Sequence, residues 1–351
     1  MEKQGVSGIK IAMVYIGTVV GAGFATGQEI LQFFVSFGLR GLWGALLTTV
    51  LFMFFGVVTM QIGYTLRAKS HLEVIGHAGG GRFQPVMDVL IMVSLFGALT
   101  AMMAGTGALF AQQWGISAAL GSLIMGALTV LTVLRGLGGV IHAISIVVPF
   151  LLVSVLTISV FSLVQSPPDL TAGIALTGRG FMGNWLTAAI LYVSYNILMS
   201  VSVLGPAGGL ATDRRAVWRG GVLGGAGLGA ASILIYLALS GTRAETGHLE
   251  VPILHMAGGI APIAGALYSL VLLAEIYTTA VGALYGFSAR ILAGRNRRFG
   301  VRVIIGAAAG AFLVSLFGFS GLVRYMYPLQ GYGGIILLIA LVWVKVRGGL
   351  K

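Results

Sequence analysis

The sequence predicts an all-α polytopic membrane protein with ten transmembrane helices. The 351-residue chain is 58% hydrophobic and only 9% charged, too few charges to cover a soluble protein of this size. Its apolar runs of spanning length number ten, and basic residues concentrate in every second connector. That alternation is what the positive-inside rule imposes on a multi-pass chain. A membrane bundle packs as one unit, so residues 1–351 are expected to form a single transmembrane domain.

The runs, numbered here as segments 1 to 10, fall at about 8–37, 41–66, 84–113, 117–135, 139–164, 184–212, 217–240, 260–291, 301–319 and 323–346. The opening MEKQGVSGIK enters segment 1 with no small-residue cleavage pattern, and reads as the start of a spanning helix rather than a removable signal peptide. Of the 21 basic residues, 17 lie at the termini and in the second, fourth, sixth and eighth connectors. Only Arg40, Arg179, Arg243 and Arg324 fall on the other side. Both termini are therefore expected in the cytoplasm, and the net charge of +12 is a topology signal rather than a nucleic-acid footprint.

The chain has no cysteine, which excludes disulfides and thiolate chemistry. His71, His77, His142, His248 and His255 sit in connectors or near segment ends without ligand spacing. With no paired catalytic residues in the spans, the reading is not an enzyme. A channel would show a repeated filter and usually an oligomeric design, although two half-helix breaks alone do not exclude one.

Segment 1 contains GTVVGAGFATGQEILQFF. Gly21, Gly23 and Gly27 fall within seven residues, and each costs a helix about 1 kcal/mol relative to alanine, so a local break is cheap there. Thr26 and Glu29 have the S/T-x-x-E spacing of a capping box. Non-helical backbone survives in a membrane only where it lines a cavity. One half-helix is thus expected to end near Gly21–Gly23 and a second to start at about Gly27, with Ala22 and Phe24 between them. Free N–H groups at the second half would favour an anionic group, and carbonyls released by the first a cation. The competing reading is a continuous helix, because Gly17 and Gly21 share the small-xxx-small spacing of helix packing. Gly221, Gly225 and Gly229 in segment 7 repeat that spacing and are read as packing.

Segment 6 carries Ser194-Tyr195-Asn196, Ser200, Ser202, Gly205-Pro206 and Gly208-Gly209. Proline removes a backbone donor and glycine suits a helix end, so an interruption is expected between Asn196 and Gly205. Breaks in segments 1 and 6 of ten are what an inverted five-plus-five repeat produces, with halves at about 8–164 and 184–346. The connector 165–183 opens on the turn Pro167-Pro168-Asp169. The connector 241–259 has an amphipathic piece, either a surface helix or a lid over an outer vestibule.

This arrangement resembles the LeuT-fold transporters of the amino acid–polyamine–organocation superfamily. GAGFATGQEILQFF, with SYNILMSVSVLGPAG in segment 6, is similar more narrowly to the YkvI-type bacterial membrane proteins. The resemblance implies a secondary active transporter in the bacterial inner membrane, monomeric or weakly homo-oligomeric. It would move a small solute, an amino acid or related amine, by sodium-coupled alternating access. Substrate contacts are expected from Gly21, Ala22, Gly23, Phe24, Thr26 and Gly27 and from Tyr195, Asn196 and Ser200. The last three serve equally as ordinary interhelical hydrogen bonds, and Phe24 as a core aromatic. In sodium-coupled relatives, two hydroxyl residues of helix 8 join carbonyls of the helix 1 break around one ion. Thr278 and Thr279 match by position, with Val20 and Gly23 as carbonyl partners and hard oxygen ligands that suit sodium. The alternative is that these threonines bond to their own helix. Segment 5 has no lysine, which the resemblance would require in many proton-coupled relatives. Glu275, an acid placed mid-span, offers proton coupling instead. Glu29 is a cap or a gate partner of Arg324 at the start of segment 10, and Arg324 alternatively snorkels to the interface. A solute sensor of the same fold that moves nothing is the remaining reading.

Overall fold

The computed structural model describes residues 5–81, 83–135, 140–171, 180–292 and 297–347. Lys3, Arg82, Arg179, Arg295 and Lys351, and the side chains of His142, Arg297 and Arg298, lie outside the described residues.

Segment 1 is divided into α1 (Gly8–Val19), α2 (Ala22–Thr26) and α3 (Gln28–Phe33). Segment 2 is α4 (Leu39–Leu66), followed by the short α5 (His71–Gly79). Segments 3 to 7 are α6 (Phe83–Trp114), α7 (Ala118–Arg135), α8 (Val140–Gln165), α9 (Trp185–Gly209) and α10 (Arg214–Gly241). A strap holding α11 (Arg243–Thr246) and α12 (Pro252–Ile260) leads into segments 8 to 10, which are α13 (Pro262–Leu292), α14 (Arg297–Ser315) and α15 (Phe319–Val346). Among the described residues, eight helices are long and apolar enough to cross a membrane. The broken segment 1 and the shorter α14 bring the bundle to the ten expected. Large apolar side chains such as Phe150, Val153, Leu267 and Ile339 point outward, a surface that only lipid suits. The N-terminal arm bridges to the connector after α9, with Val6 N–H donating to Leu210 O at 2.8 Å and Thr212 N–H to Val6 O at 3.2 Å. That face, which carries the basic connectors, is called the basic face below.

The break in segment 1 is real but lies earlier than its glycines predict. The ladder of α1 ends with Val20 N–H to Ile16 O at 2.8 Å, and helical pairing resumes with Ala25 N–H to Gly21 O at 3.0 Å. Gly21 is extended, and α2 restarts at Ala22 rather than at Gly27. The carbonyls of Gly17 to Val20 and the N–H groups of Gly21 to Phe24 lie between the two ladders. A second kink follows at Gly27, whose φ of +83° lies in the left-handed region that glycine enters without penalty. The short α2 is pinned by Tyr268, whose hydroxyl donates to Ala25 O. A Cβ on Gly21 would meet no atom within 4 Å, so Gly21 is not a packing contact.

The expected capping box does not form. Thr26 Oγ1 accepts from Gln28 N–H at 3.3 Å and donates to Gly23 O at 2.9 Å, but Glu29 does not reach back to a backbone N–H. Its side chain turns toward the break, where the bare Cα of Gly23 gives it room.

Segment 6 is not interrupted; α9 runs unbroken from Trp185 to Gly209. Pro206 falls in its last turn, where the missing N–H leaves a single carbonyl without its helical donor. The polar side chains fold back on their own helix, Asn196 Nδ2 to Tyr192 O at 2.9 Å and Ser202 Oγ to Met199 O at 3.0 Å. The glycines serve contact with α4. A Cβ on Gly208 would lie 2.1 Å from Met60 O, and one on Gly63 2.0 Å from Gly205 O. The segment 7 glycines pack on α4 as predicted: a Cβ on Gly225 would lie 2.4 Å from Met53 N. In lipid such close backbone approach supplies the dispersion contacts that hold helices together.

Candidate functional site

A cavity of about 260 Å³ sits at the segment 1 break, below the usual volume of drug-sized pockets and so sized for a small solute. Val20, Gly21, Ala22 and Gly23 form one wall, Tyr195 and Asn196 of α9 another, and Glu275, Thr278 and Thr279 of α13 a third. Glu29 faces the same space. The fold thus brings together ten of the residues expected from sequence. Tyr327, Gln330 and Met102 also line the cavity and were not anticipated. Gln330 carried a readable signal, a polar side chain within an apolar span; Tyr327 and Met102 carried none.

Five expected residues stand elsewhere. Phe24 is a buried core aromatic, and Thr26 is bound to Gly23 O. Gly27 packs under α12, where a Cβ would lie 2.9 Å from Ile253 Cγ1. Ser200 Oγ turns to Ile197 O at 3.4 Å. Arg324 lies beside Gly180, and it forms no ion pair with Glu29. The ion pairs among the described residues are Arg243–Asp169, Arg290–Asp88 and His255–Glu245. The gate pairing therefore fails in this structure because α3 turns Glu29 inward, toward the cavity.

The two acids are held differently. Glu29 is 6% exposed and Glu275 3%. Tyr195 and Tyr192 are the polar groups that face the Glu29 carboxyl, yet Glu29 Oε2 and both hydroxyls complete no hydrogen bond of good geometry. Glu275 Oε1 accepts from Thr279 Oγ1 at 3.3 Å, and Thr278 Oγ1 donates to Glu275 O at 3.0 Å. Glu275 Oε2 has no partner. The threonines do bond to their own helix, and their lone pairs remain free for a cation. No lysine, arginine or histidine is among the described residues lining the cavity.

The lining residues Gly17, Thr18, Val148, Met199 and Gly282 all lie toward the basic face, and Thr18 and Gly282 are at least partly exposed. The opposite side is closed by stacked rings: Phe33–Tyr192 at 5.3 Å, Tyr192–Tyr195 at 5.6 Å and Tyr195–Tyr327 at 5.1 Å between centroids. Above them the strap is laced to three segments. Gln28 Nε2 donates to Leu249 O at 2.6 Å, and Gln32 Nε2 to Ser320 O at 2.8 Å. Gln112 bonds both backbone groups of Val251, at 2.9 and 3.1 Å. Glu250 accepts from Phe319 N–H at 2.9 Å and from Ser320 Oγ at 3.1 Å, satisfying the start of α15. The 241–259 connector is thus fastened to segments 1, 3 and 10. A broader cleft of about 660 Å³ is lined by Gln112, Glu250 and several alanines. Arg243 further ties the strap to the 165–171 turn through Asp169, whose carboxyl the guanidinium holds below the usual carboxylate range.

No protein-family model matches the chain. It is 30% identical over 348 residues to the uncharacterized membrane protein YkvI of Bacillus subtilis (strain 168), covering 98% of each chain. It is 29% identical over 356 residues to the uncharacterized protein YyaD of the same organism, covering 98% of this chain and 99% of that one. Among solved structures it is similar to inward-facing Mhp1, with a TM-score of 0.60, 18% identity and coverage of 95% of this chain and 73% of the other. The L-phenylalanine complex of MhsT gives a TM-score of 0.59 at 17% identity, covering 92% and 81%. A substrate-bound, outward-open, sodium-coupled sialic acid symporter gives 0.58 at 13%, covering 88% and 72%. With this ten-helix order and a first helix broken at a central cavity, the chain belongs to the YkvI family of multi-pass membrane proteins and has the LeuT fold.

Proposed function

We propose that the protein is a secondary active transporter that moves a small solute, an amino acid or related amine, by sodium-coupled alternating access. The observation that carries this reading is the cavity at the segment 1 break, open toward the basic face and closed opposite by rings and strap. Unpaired backbone inside a membrane is stable only where it faces such a space, and a site reached from one face at a time is what alternating access needs. The charge asymmetry supports a cytoplasmic basic face in a bacterial inner membrane, which makes this arrangement inward-facing. Val20 on one wall and Thr278, Thr279 and Glu275 on another offer oxygen ligands to the same cavity, the chemistry a sodium ion takes. The sodium-coupled symporter among its structural likenesses supports the same choice.

A second reading has its own observation. Glu275 is buried with Oε2 unpartnered, so a proton on that carboxyl is an alternative coupling ion. Proteoliposomes loaded with labelled amines or amino acids decide between them. Counterflow stimulated by a sodium gradient supports the first reading, and counterflow stimulated only by a proton gradient the second. Ligand binding without accumulation under either gradient rules out transport.

A further inference from the structure

Resting on that transporter reading, we propose that the solute is an organic cation, an amine with an apolar body, and that Glu29 receives its ammonium group. The two acids of the cavity divide by their surroundings. Glu275 is tied to the Thr279 hydroxyl and stands beside Thr278, at the wall proposed for the coupling ion. Glu29 has no helix hydroxyl on it. It lies across Gly23 with Oε2 unpartnered, faced by Tyr195 and Tyr192 and near Tyr327.

A carboxyl so far from water needs a counter-charge or a proton, and in its ionised form it needs the counter-charge. The cavity lining supplies no cationic side chain among the described residues, so the charge comes with the ligand. Tyrosine rings and hydroxyls around a carboxylate suit an ammonium group on three counts. The carboxylate pairs with the charge, the hydroxyl oxygens accept N–H, and the ring faces attract a cation. Beyond this end the lining turns apolar, with Leu95, Met102, Val148 and Met199, which fits a hydrocarbon body. A carboxylate on the ligand would meet only the neutral N–H groups at the break and no basic side chain among the described lining residues. The unpartnered Nε2 of Gln330 can serve a neutral acceptor such as a hydroxyl. The amine is therefore preferred over the amino acid with the same side chain.

The test uses matched ligands on the full chain in nanodiscs at pH 7, with thermal stabilisation and calorimetry as readouts. Phenethylamine is compared with L-phenylalanine and 2-phenylethanol, and isoamylamine with L-leucine. At least one amine is expected to bind at least tenfold more tightly than its amino acid, and phenethylamine to outrank the alcohol likewise. Glu29→Gln is expected to erase the preference of amine over alcohol. The proposal is overturned if the amino acids bind as tightly as the amines, if no amine binds, or if Glu29→Gln keeps the amine affinity. Should that variant not fold, the wild-type comparison of amine with amino acid still decides. Amine binding without gradient-driven accumulation in proteoliposomes upholds this inference and removes only the transporter reading.

Discussion

The carboxyl of Glu29 lies directly over Gly23: a methyl group on Gly23 would sit 1.9 Å from Glu29 Oε1. Two residues of one broken segment thus share one volume, and the acid occupies the cavity only because its neighbour has no side chain. Gly23→Ala is expected to leave the fold intact, since the clash is with the far end of a flexible chain, and to push Glu29 from its place. Solute affinity should fall about tenfold, or 1.4 kcal/mol, with the melting temperature in detergent little changed. Unaltered affinity would mean that the carboxyl's position does not matter.

Thr278 and Thr279 line the same cavity as the released carbonyls of segment 1. Removal of either hydroxyl, by Thr278→Ala or Thr279→Ala, is expected to weaken sodium-dependent stabilisation. A loss of roughly 10–100-fold in apparent sodium affinity is the scale for disturbing a metal site. Thr→Ser at either position should preserve most of it. Identical sodium titrations for parent and alanine variants would refute the ion site.

Glu250 holds the start of α15 to the strap through Phe319 N–H and Ser320 Oγ. Losing a cap of this kind costs about 1 kcal/mol, which changes a two-state population by about fivefold. Glu250→Ala should therefore raise opening of the face opposite the basic one by that factor. The absence of native cysteine makes the readout direct. A cysteine at Ala98, on the cavity wall, is labelled by an impermeant thiol reagent from the basic face in the parent. It should gain labelling from the opposite face in the variant.

On the basic face, Arg290 joins Asp88 and also His71, its Nη2 lying 2.5 Å from His71 Nε2. Burial, and then the Arg290 charge, hold the His71 imidazole below its ordinary value of 6.5, with Asp88 opposing. The neutral ring is the form the folded state prefers. Its contribution to stability is full above 6.5 and declines as acidification protonates the unfolded chain first. Melting temperatures should fall between pH 7.5 and 5.5, and His71→Gln should flatten that slope. A parallel decline in the variant would assign the effect to other groups.

Much of this fold was legible because a bilayer enforces simple rules. Apolar runs had to be helices, and basic connectors had to alternate. The glycines of segments 1 and 7 were correctly assigned to a break and to a packing face. In segment 6, glycine and proline signal a helix end and a close contact equally well. Only the position of α4, with Met60 and Gly63 against α9, shows which use applies. The same limit governed Thr26 and Glu29, whose spacing suits a cap. Nothing in the sequence shows that Gly23 leaves room for the carboxyl to turn the other way.

By itself, the sequence determined the class of protein, the number of spans, the alternation of charge and the place where the first helix yields. Those follow from solvent and backbone physics acting along the chain. The tertiary structure alone decided that Glu29 faces the cavity rather than Arg324, that Tyr327 and Gln330 join it, and that the strap closes one face. Each of these depends on which side chain of a distant segment fills, or leaves empty, the space beside another, and that is a property of packing.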